Sequence, residues 1–472
     1  MNRFLAFSLL LFGALNLFSE EASAPNIVVI LADDLGWGSV TAYGADESLI
    51  RTPHIDRLAA EGTRFTNAYT TGSVCSPTRY ALLTGRYSWR TAMKRGVINT
   101  NGSLLIDPRT PTVASWLQEQ GYQTAQIGKW HLGYRAEQKK DLRGALTPGP
   151  NNVGFDYHFA VPNNMDDLHK VYVENDHIYG LRSDRLSPYG KSFYGRPYIG
   201  YDAPQRITTQ VTDTLTDRAI DWIDQRDPAK PFFLYFAHVA VHHPITPSER
   251  MRGTSAAGAY GDFIHDVDYS VGQIHQALID RGLDENTLII FTSDNGGDIP
   301  ADESRPETQA VLHGLALNGP YRGDKHTIYE GGFRVPFIVR GPGVSASGGV
   351  NSSVVSTVDI FATVTEIVSG EKLADIGPDS ISFKAQLALN PIPATRPPLV
   401  LRDANGRKAL VWSGWKFIDD ELPPGPGKKP AKIVAALYDL NADPSETTNL
   451  IQQHPDRAAE ARQLLATIRH GD

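Results

Sequence analysis

The sequence predicts an α/β fold: a mixed, mostly parallel central sheet flanked by helices, followed by a smaller C-terminal α+β subdomain. Four strand-like runs alternate with helix-like segments along the chain. Charged or metal-competent side chains follow the carboxyl end of each run, where open α/β sheets collect their ligands. A proline-rich stretch then separates this pattern from short strands and a final amphipathic helix. The pattern predicts chemistry at one edge of one sheet.

Residues 1–24 are predicted to be an export signal. Arg3 precedes a 15-residue apolar run, Phe4–Phe18, that is too short to span a bilayer. Ala22-x-Ala24 has the character of a cleavage site. No later stretch is long and apolar enough for a membrane span, so we expect a periplasmic or secreted protein without one.

The charge and the cysteine content exclude some classes of protein. The formal net charge is −8, and removal of residues 1–24 takes away −1 and leaves −7. That balance argues against a nucleic-acid partner. Cys75 is the single cysteine, so no intramolecular disulfide can form and the hydrophobic core must stabilise the chain.

The first predicted strand, residues 26–32, is continuously apolar, as expected for a parallel strand buried on both faces. Asp33 and Asp34 follow it directly. Two adjacent carboxylates at a strand end are costly unless they are solvated or bound to a cation. A cation site and a pair of exposed loop acids are the two interpretations.

The segment Ser73–Arg86 is predicted to be a nucleophile turn. Pro77 suits the first turn of a helix, and Gly85 suits its end. Cys75 then lies at a helix N-terminus, where free N–H groups favour an anion, and Arg79 adds a cation one turn further on. Such a turn holds sulfate or phosphate. A buried structural cysteine beside a surface arginine is the alternative.

Three later strand-like runs end in reactive side chains. Residues 123–128 precede Lys129 and His131, residues 231–237 precede His242 and His243, and residues 288–293 precede Asp294 and Asn295. Taken singly, each has an ordinary explanation as a core histidine, a solvated lysine or a turn. Their joint order with the cysteine turn is what indicates a catalytic site.

This order resembles the sulfatases of the alkaline-phosphatase superfamily over nearly the whole mature chain. The shared series is Asp33-Asp34, Cys75-x-Pro-x-Arg79, Gly-Lys129-x-His131, a histidine before proline, Ser-Asp294-Asn295-Gly and Arg-Gly-x-Lys325. The resemblance implies an alkaline-phosphatase-like fold and hydrolysis of sulfuric esters. It also implies that a maturation enzyme oxidises Cys75 to Cα-formylglycine, whose hydrated aldehyde attacks sulfur.

The resemblance also assigns roles to the other catalytic residues. It implies that Arg79, Lys129 and Lys325 neutralise the sulfate. His242 would protonate the departing alcohol, and His131 would help the modified residue to expel sulfate. Because a sugar hydroxyl needs a general acid more than an activated phenol does, His242 is expected to matter most for sugar sulfates.

The metal prediction rests on ligand chemistry. Asp33, Asp34, Asp294 and the amide oxygen of Asn295 form an anionic, all-oxygen set, the preference of a hard cation rather than zinc. Residue 75, once modified, would add an oxygen. The residue types leave Mg²⁺ open, and the resemblance favours Ca²⁺.

The substrate is predicted to be a sulfated saccharide or an aryl sulfate. We expect His243 and His326 to contact it, together with Arg182 and Arg185 from the segment 155–201. That segment carries ten Phe or Tyr residues and shows no pattern of a regular element. It is interpreted as a substrate-binding loop over the pocket, with a loop packed on the sheet as the alternative.

We predict a catalytic domain over residues 25–390 and a C-terminal subdomain over residues 391–472. Prolines mark the linker, and short strands and an amphipathic helix follow. The expected strands and helix of this subdomain are residues 399–401, 408–412, 416–418 and 456–469. The subdomain is expected to combine a small antiparallel sheet with the terminal helix, to pack against the main domain and to border the cleft.

Two other functions remain open at this point. A phosphodiesterase or phosphonate monoester hydrolase of the same superfamily can share the whole constellation, because a metal and cations hold any tetrahedral oxyanion. A non-catalytic protein that binds sulfated glycans is the second. A comparison of sulfate with phosphate esters separates the first, and an intact thiol at Cys75 in the native host favours the second.

Overall fold

The structure is a computed structural model, and it describes residues 24–344, 347–373, 376–388, 396–422 and 434–470. The predicted export signal up to residue 23, and the linker prolines 391 and 393, lie outside these ranges. Within them, no helix is long and apolar enough to cross a membrane.

The strands and helices of the described residues follow the predicted alternation. The strands are β1 Asn26–Ala32, β2 Thr63–Tyr69, β3 Gln123–Lys129, β4 Tyr157–Val161, β5 Val173–Glu174, β6 His177–Ile178, β7 Ser183–Leu186, β8 Tyr201–Asp202, β9 Phe232–Ala237, β10 Thr287–Ser293, β11 Phe337–Arg340, β12 Gly349–Ser356, β13 Leu399–Arg402, β14 Lys408–Trp412, β15 Trp415–Ile418 and β16 Ala436–Asp439. The α-helices are α1 Pro53–Glu61, α2 Cys75–Thr84, α3 Val113–Glu119, α4 Val211–Gln225, α5 Ala259–Asp280, α6 Pro306–Leu312, α7 Ile360–Ser369 and α8 Pro455–His470.

A ten-stranded mixed sheet forms the centre of the molecule, in the order β12-β2-β11-β10-β1-β9-β3-β4-β5-β6. The strands from β10 to β4 in this order run parallel, and antiparallel strands flank them on both sides. Apolar side chains on one face pack with α2, α3 and α7, and those on the other face pack with α1, α4 and α5. The predicted α/β class is confirmed.

The register of the parallel strands aligns their carboxyl ends. Ala32 of β1 pairs with Ser293 of β10, and Leu31 pairs with Ala237 of β9. Gly128 of β3 also pairs with Ala237. The residues that follow these strands in the chain therefore emerge side by side at a single edge, which we call the catalytic edge.

The C-terminal subdomain is a four-stranded antiparallel sheet, β13 to β16, packed with α8. Its core includes Leu401, Phe417 and Leu465, and it extends to Tyr69 and Phe333 of the main domain. This confirms the predicted small antiparallel subdomain. The boundary at residues 390 and 391 lies outside the described residues and stays a prediction.

The segment 155–201 was predicted to lack regular elements, and that prediction is wrong in part. It contains β4, which pairs in parallel with β3, and the short strands β5 to β8. The core includes Phe159, Ala160 and Val161 of β4. Strands of two residues carry no alternation of their own, so pairing with neighbours is what forms them.

Candidate active site

The nucleophile turn has the geometry that its sequence predicts. Helix α2 begins at Cys75 after an extended Val74, and it ends where Gly85 adopts φ 62° and donates its N–H to the carbonyl of Ala81. A positive φ of this kind favours glycine. All residues of the helix are buried, so its N-terminus is enclosed at the catalytic edge.

Lys129 and Asp33 flank the cysteine. The Nζ atom of Lys129 lies 3.4 Å from the Sγ atom of Cys75 and donates to both carboxylate oxygens of Asp33, at 2.8 and 2.7 Å. The Sγ atom also lies 3.7 Å from Asp33 Oδ1. Burial raises the pKa of the Cys75 thiol although Lys129 opposes this effect. The unmodified side chain is therefore a neutral thiol, which is a poor nucleophile.

Arg79 ties the helix to two strand ends. Its Nε and Nη2 atoms donate to Asp294 Oδ2 at 3.0 and 2.7 Å, and Nη1 donates to the backbone carbonyl of Lys129 at 3.0 Å. Nη2 also lies 3.4 Å from Asp33 Oδ1. The guanidinium is completely buried, and its charge is held in place by these carboxylates.

The acidic residues converge on one point. Asp33, Asp34, Asp294 and Cys75 each offer a ligand atom, and these atoms all lie within 4.8 Å of one another. Burial raises the pKa of Asp33 to about 7, against the opposing effect of Lys129 and with a further contribution from the like charge of Asp294. Carboxylates held this close together fit a hard divalent cation.

Asn295 completes the set of oxygen donors. Its Nδ2 group donates to Asp34 Oδ1 at 2.7 Å, so the orientation of the amide is defined. The Oδ1 atom is buried and has no hydrogen-bond partner among the described residues. A buried carbonyl oxygen without a donor requires an explanation, and a bound cation supplies one.

Lys325 reaches the same point from a separate loop. Its Nζ atom lies 2.7 Å from Asp34 Oδ2, and its backbone N–H donates to the carbonyl of Gly297 at 3.0 Å. The next residue, His326, donates its backbone N–H to Ser73 at 2.8 Å. The loop is thus attached both to the strand end of Asp294 and to the nucleophile turn.

The hydrogen bond of His131 defines its tautomer. The Nε2 atom lies 3.1 Å from the backbone carbonyl of Ile98, which can only accept, so Nε2 carries the proton. The Nδ1 atom is buried and has no hydrogen-bond partner among the described residues. Burial, together with Lys129 and Arg79, holds the pKa of His131 well below its usual value. His131 is therefore a neutral imidazole with a free lone pair on Nδ1.

His242 has the opposite tautomer. Its Nδ1 atom donates to the carbonyl of His243 at 2.6 Å, and its Nε2 atom lies 3.8 Å from Asp34 Oδ2. Burial and the neighbouring Lys325 and Lys129 lower the pKa of His242 well below its usual value. Nε2 is therefore the ring atom that faces the cluster.

The comparisons with known proteins agree with this geometry. The family model for sulfatases matches residues 25–370. The chain belongs to the sulfatase family. This sulfatase is 35% identical to the N-acetylgalactosamine-6-O-sulfatase of Bacteroides thetaiotaomicron, over 95% of this chain and 94% of that protein. It is 32% identical to the N-acetylgalactosamine-6-sulfatase of Mus musculus, over 91% of this chain and 80% of that protein.

Solved structures confirm the predicted alkaline-phosphatase-like fold of this sulfatase. A B. thetaiotaomicron sulfatase structure, from work on the metabolism of multiple glycosaminoglycans, superposes with a TM-score of 0.85 at 35% identity, covering 95% of this chain and all of that one. The phosphonate monoester hydrolase of Agrobacterium radiobacter superposes with a TM-score of 0.62 at 20% identity, covering 94% of this chain and 95% of that one. The latter likeness concerns the fold alone.

The structure gathers the predicted catalytic and metal residues of the sulfatase at the catalytic edge. These are Asp33, Asp34, Cys75, Arg79, Lys129, His131, His242, Asp294, Asn295 and Lys325. They come from six separate stretches of the chain, and the strand register described above brings most of them together. Their individual chemical roles remain predictions.

The four predicted substrate-binding residues divide into two pairs. His243 and His326 both face Asp298, with Nδ1 atoms 3.6 and 3.9 Å from its carboxylate oxygens, and so lie at the rim of the site. Arg182 donates instead to Asp202 at 2.8 Å, and Arg185 is exposed on β7. No hydrogen bond, ion pair or ring contact of the described residues joins these arginines to the catalytic edge.

Sequence reasoning missed several residues at the rim. Asp298 stands between His243 and His326. The rings of Phe193 and Tyr194 pack against His243, with centroids 4.8 and 6.0 Å from that of its imidazole. A signal for Asp298 was available, since it is a further acidic residue in the run that begins with Asp294. Tyr194 belongs to the aromatic segment, but composition does not indicate which aromatic side chain faces the site.

Proposed function

We propose that this sulfatase is an exported enzyme that removes sulfate from a sulfated carbohydrate, with Cys75 converted to Cα-formylglycine and with a bound Ca²⁺ ion. The observation that carries this proposal is the buried convergence of Asp33, Asp34, Asp294 and Cys75. Lysine and arginine side chains surround that point. The arrangement suits a cation and an oxyanion bound side by side.

The donor set fits the proposed cation. The three carboxylates and the free Oδ1 atom of Asn295 would hold it, because Ca²⁺ takes roughly six to eight oxygen ligands and leaves room for substrate. Zinc prefers nitrogen and sulfur ligands, so it suits this set less well. When bound, Ca²⁺ would neutralise charge on a sulfate oxygen.

The surroundings of Cys75 support its modification. A thiol whose pKa is raised by burial does not supply a thiolate nucleophile at neutral pH. The formylglycine hydrate would supply a hydroxyl at the same position, next to Lys129. The free Nδ1 lone pair of His131 is suited to accept a proton from residue 75, because Ile98 holds the ring in the required tautomer.

The remaining residues would stabilise charge and handle the leaving group. Arg79, Lys129 and Lys325 are rigid, buried cations, and such preorganised charges stabilise a developing sulfate anion strongly. His242 would carry a proton on Nε2 and give it to the departing alcohol, since its Nδ1 is committed to a carbonyl. The negative charge of a bound sulfate ester opposes the effect of Lys325 and Lys129 on the pKa of His242, and so favours the protonated imidazole.

The test compares ester classes at matched leaving groups. The purified enzyme should release sulfate from N-acetylgalactosamine 6-sulfate and from 4-nitrophenyl sulfate, and it should act far more slowly on 4-nitrophenyl phosphate and phenylphosphonate monoesters. Mass spectrometry of the peptide with Cys75 should show the aldehyde or its hydrate, and the mature chain should start near residue 25. Faster turnover of the phosphorus esters, or full activity with only thiol detected, would contradict the proposal.

A further inference from the structure

A cavity of about 220 Å³ lies beside His131, and we call it the second cavity. Its lining includes residues 97–100, the neighbouring Asn163 and Asn164, and Asp167, Tyr194 and Arg196. We propose that it binds the sugar next to the sulfated one, and that this neighbouring sugar is anionic. The inference rests on the proposed function and narrows the substrate to a sulfated oligosaccharide that carries a second anionic group.

The second cavity is attached directly to the nucleophile turn. Ile98 donates its backbone N–H to Ser76 Oγ at 3.1 Å, and Ser76 Oγ lies 2.8 Å from the carbonyl of His131. The carbonyl of Ile98 holds His131 Nε2 in turn. The residue after the nucleophile therefore anchors one wall, and a molecule in the second cavity lies against a side chain of the catalytic edge.

The floor of the second cavity offers buried acceptors without partners. Asp167 is only 3% exposed, and its Oδ1 atom accepts the backbone N–H of His169 at 2.8 Å. Its Oδ2 atom and the Oδ1 atom of Asn164 are buried without a hydrogen-bond partner among the described residues. A buried oxygen that lacks a donor is costly. The hydroxyl groups of a sugar are donors of the required kind.

Arg196 supplies a positive charge to the lining. Its side chain is exposed, and its guanidinium makes no hydrogen bond or ion pair with any other described residue. A guanidinium binds a carboxylate or a sulfate through two parallel hydrogen bonds. The neighbouring sugar is therefore a uronic acid or a second sulfated sugar. Both carry an oxyanion that a guanidinium can bind, a carboxylate in the first and a sulfate in the second.

Tyr194 connects the second cavity with the histidine rim of the active site. Its hydroxyl accepts from Asn164 Nδ2 at 2.9 Å and lies 3.4 Å from His243 Nε2. Tyr194 is 44% exposed and the adjacent Phe193 is 40% exposed. A saccharide chain that crosses Tyr194 would contact both sites at once, with exposed aromatic faces available to its rings.

The second cavity is large enough for a sugar. Its volume of about 220 Å³ accommodates a sugar ring, and its open side lets a saccharide chain continue. The sulfated sugar itself would occupy the catalytic edge, so the smallest substrate that uses both places is a disaccharide.

The test measures kcat/KM for a disaccharide relative to the monosaccharide N-acetylgalactosamine 6-sulfate. Three disaccharides contain this sugar next to a uronic acid, a sulfated hexose or a neutral hexose. In the wild type, this kcat/KM ratio should be about tenfold higher for at least one anionic disaccharide than for the neutral one, as expected for a hydrogen bond to a charged group. Arg196→Gln should abolish that advantage, and Asp167→Asn should lower the ratio for all three disaccharides several-fold.

Lys191→Gln is the matched control, because it removes the same charge from the same segment at a residue outside the cavity lining. It should keep the wild-type ratios. The anion whose advantage disappears in Arg196→Gln identifies the neighbouring sugar. Equal ratios for the three disaccharides in the wild type, or an unchanged advantage in Arg196→Gln, would overturn the second site alone. Failure of the wild type to cleave even the monosaccharide and 4-nitrophenyl sulfate would instead overturn the proposed function.

Discussion

Two of the groups of buried charges in the described part of the chain differ in their partners. The catalytic cluster consists of Asp33, Asp34, Asp294, Arg79, Lys129 and Lys325. The interface cluster consists of Tyr69, Glu330, Arg334, Lys416 and Glu446, where the C-terminal subdomain meets the segment that follows Lys325. Both clusters are almost completely enclosed.

The interface cluster is closed. Lys416 Nζ lies 3.0 Å from Glu330 Oε1 and 2.9 Å from Glu446 Oε1. Arg334 Nε lies 2.6 Å from the other oxygen of Glu330, which also accepts from the Tyr69 hydroxyl at 2.8 Å. Two anions meet two cations, and the like charges are separated by opposite ones.

The catalytic cluster is open. Its cations equal its anions in number, yet the carboxylates converge on one point and Asn295 leaves an amide oxygen beside them without a partner. Buried charge alone therefore does not mark a functional site. A functional site is indicated where like charges converge and buried polar atoms lack hydrogen-bond partners.

The largest effect is expected from Cys75→Ala. This change removes the proposed nucleophile and no charge, so kcat/KM for 4-nitrophenyl sulfate should fall by a factor on the order of 10⁴ or more. The free energy of unfolding should change by only about 1 kcal/mol. Activity assays and urea unfolding measure the two effects. Appreciable turnover by pure Cys75→Ala would contradict the assignment of the catalytic cluster as the functional one.

Removal of the metal is the next largest change. A chelator should lower activity by about 10²–10³-fold, the range for loss of a major charge-stabilising group, and Ca²⁺ should restore it. Because a ligand that binds only the folded state stabilises it, Ca²⁺ at 100 times its Kd should add about 2.7 kcal/mol and raise the Tm.

Asp294→Ala is the variant that tests this metal effect. It should abolish the Ca²⁺-dependent rise in Tm, since it removes one of the three carboxylates. Lys416→Met, in the closed cluster, should retain the rise. Restoration by Mg²⁺ but not by Ca²⁺ would show that the ion is wrongly assigned.

Lys416→Met should affect mainly stability. It leaves Glu330 and Glu446 buried without their shared cation, and breaking a buried pair in this way typically costs about 3–5 kcal/mol. The activity of the molecules that remain folded should change less than tenfold. A double variant with Glu446→Gln should recover part of the lost stability, because Glu446 has no other ion-pair partner among the described residues, whereas Glu330 keeps Arg334. No recovery would mean that the closed cluster is not held by charge pairing.

The smallest effect is the pH dependence that Glu330 contributes to the interface cluster. Burial opposes the charge on Glu330, but Lys416 and Arg334 outweigh it and hold the pKa of Glu330 below its usual value of 4.5. The stabilisation is therefore complete above pH 4.5 and is lost as the pH falls through the lower, folded-state pKa.

Glu330→Gln lacks this titration, so it serves as the reference. Its deficit in the free energy of unfolding relative to the wild type should be constant from pH 7 to pH 5 and should begin to close below pH 4.5, by less than about 1 kcal/mol at pH 4. A deficit that widens on acidification would contradict a lowered pKa of Glu330 in the folded state.

The sequence alone was sufficient for the architecture of the catalytic edge. Apolar runs predicted β1, β9 and β10, because strands buried on both faces need mostly apolar side chains. The strand-like run 123–128 predicted β3, although it contains Gln and Thr. The polar residues after those runs had to emerge at one edge once the strands ran parallel. The turn at Cys75 was equally local, since Pro77 and Gly85 mark the two ends of its helix.

Tertiary structure alone decided which distant side chains meet. The short strands after residue 155 form by pairing, and Arg196 lines a cavity while Arg182 pairs with Asp202. Glu446 reaches Glu330 across more than a hundred residues. Local periodicity reports whether a residue is buried, but it contains no information on which loop packs against which. Those contacts depend on strand order, register and the path of the loops, and only the folded chain specifies them.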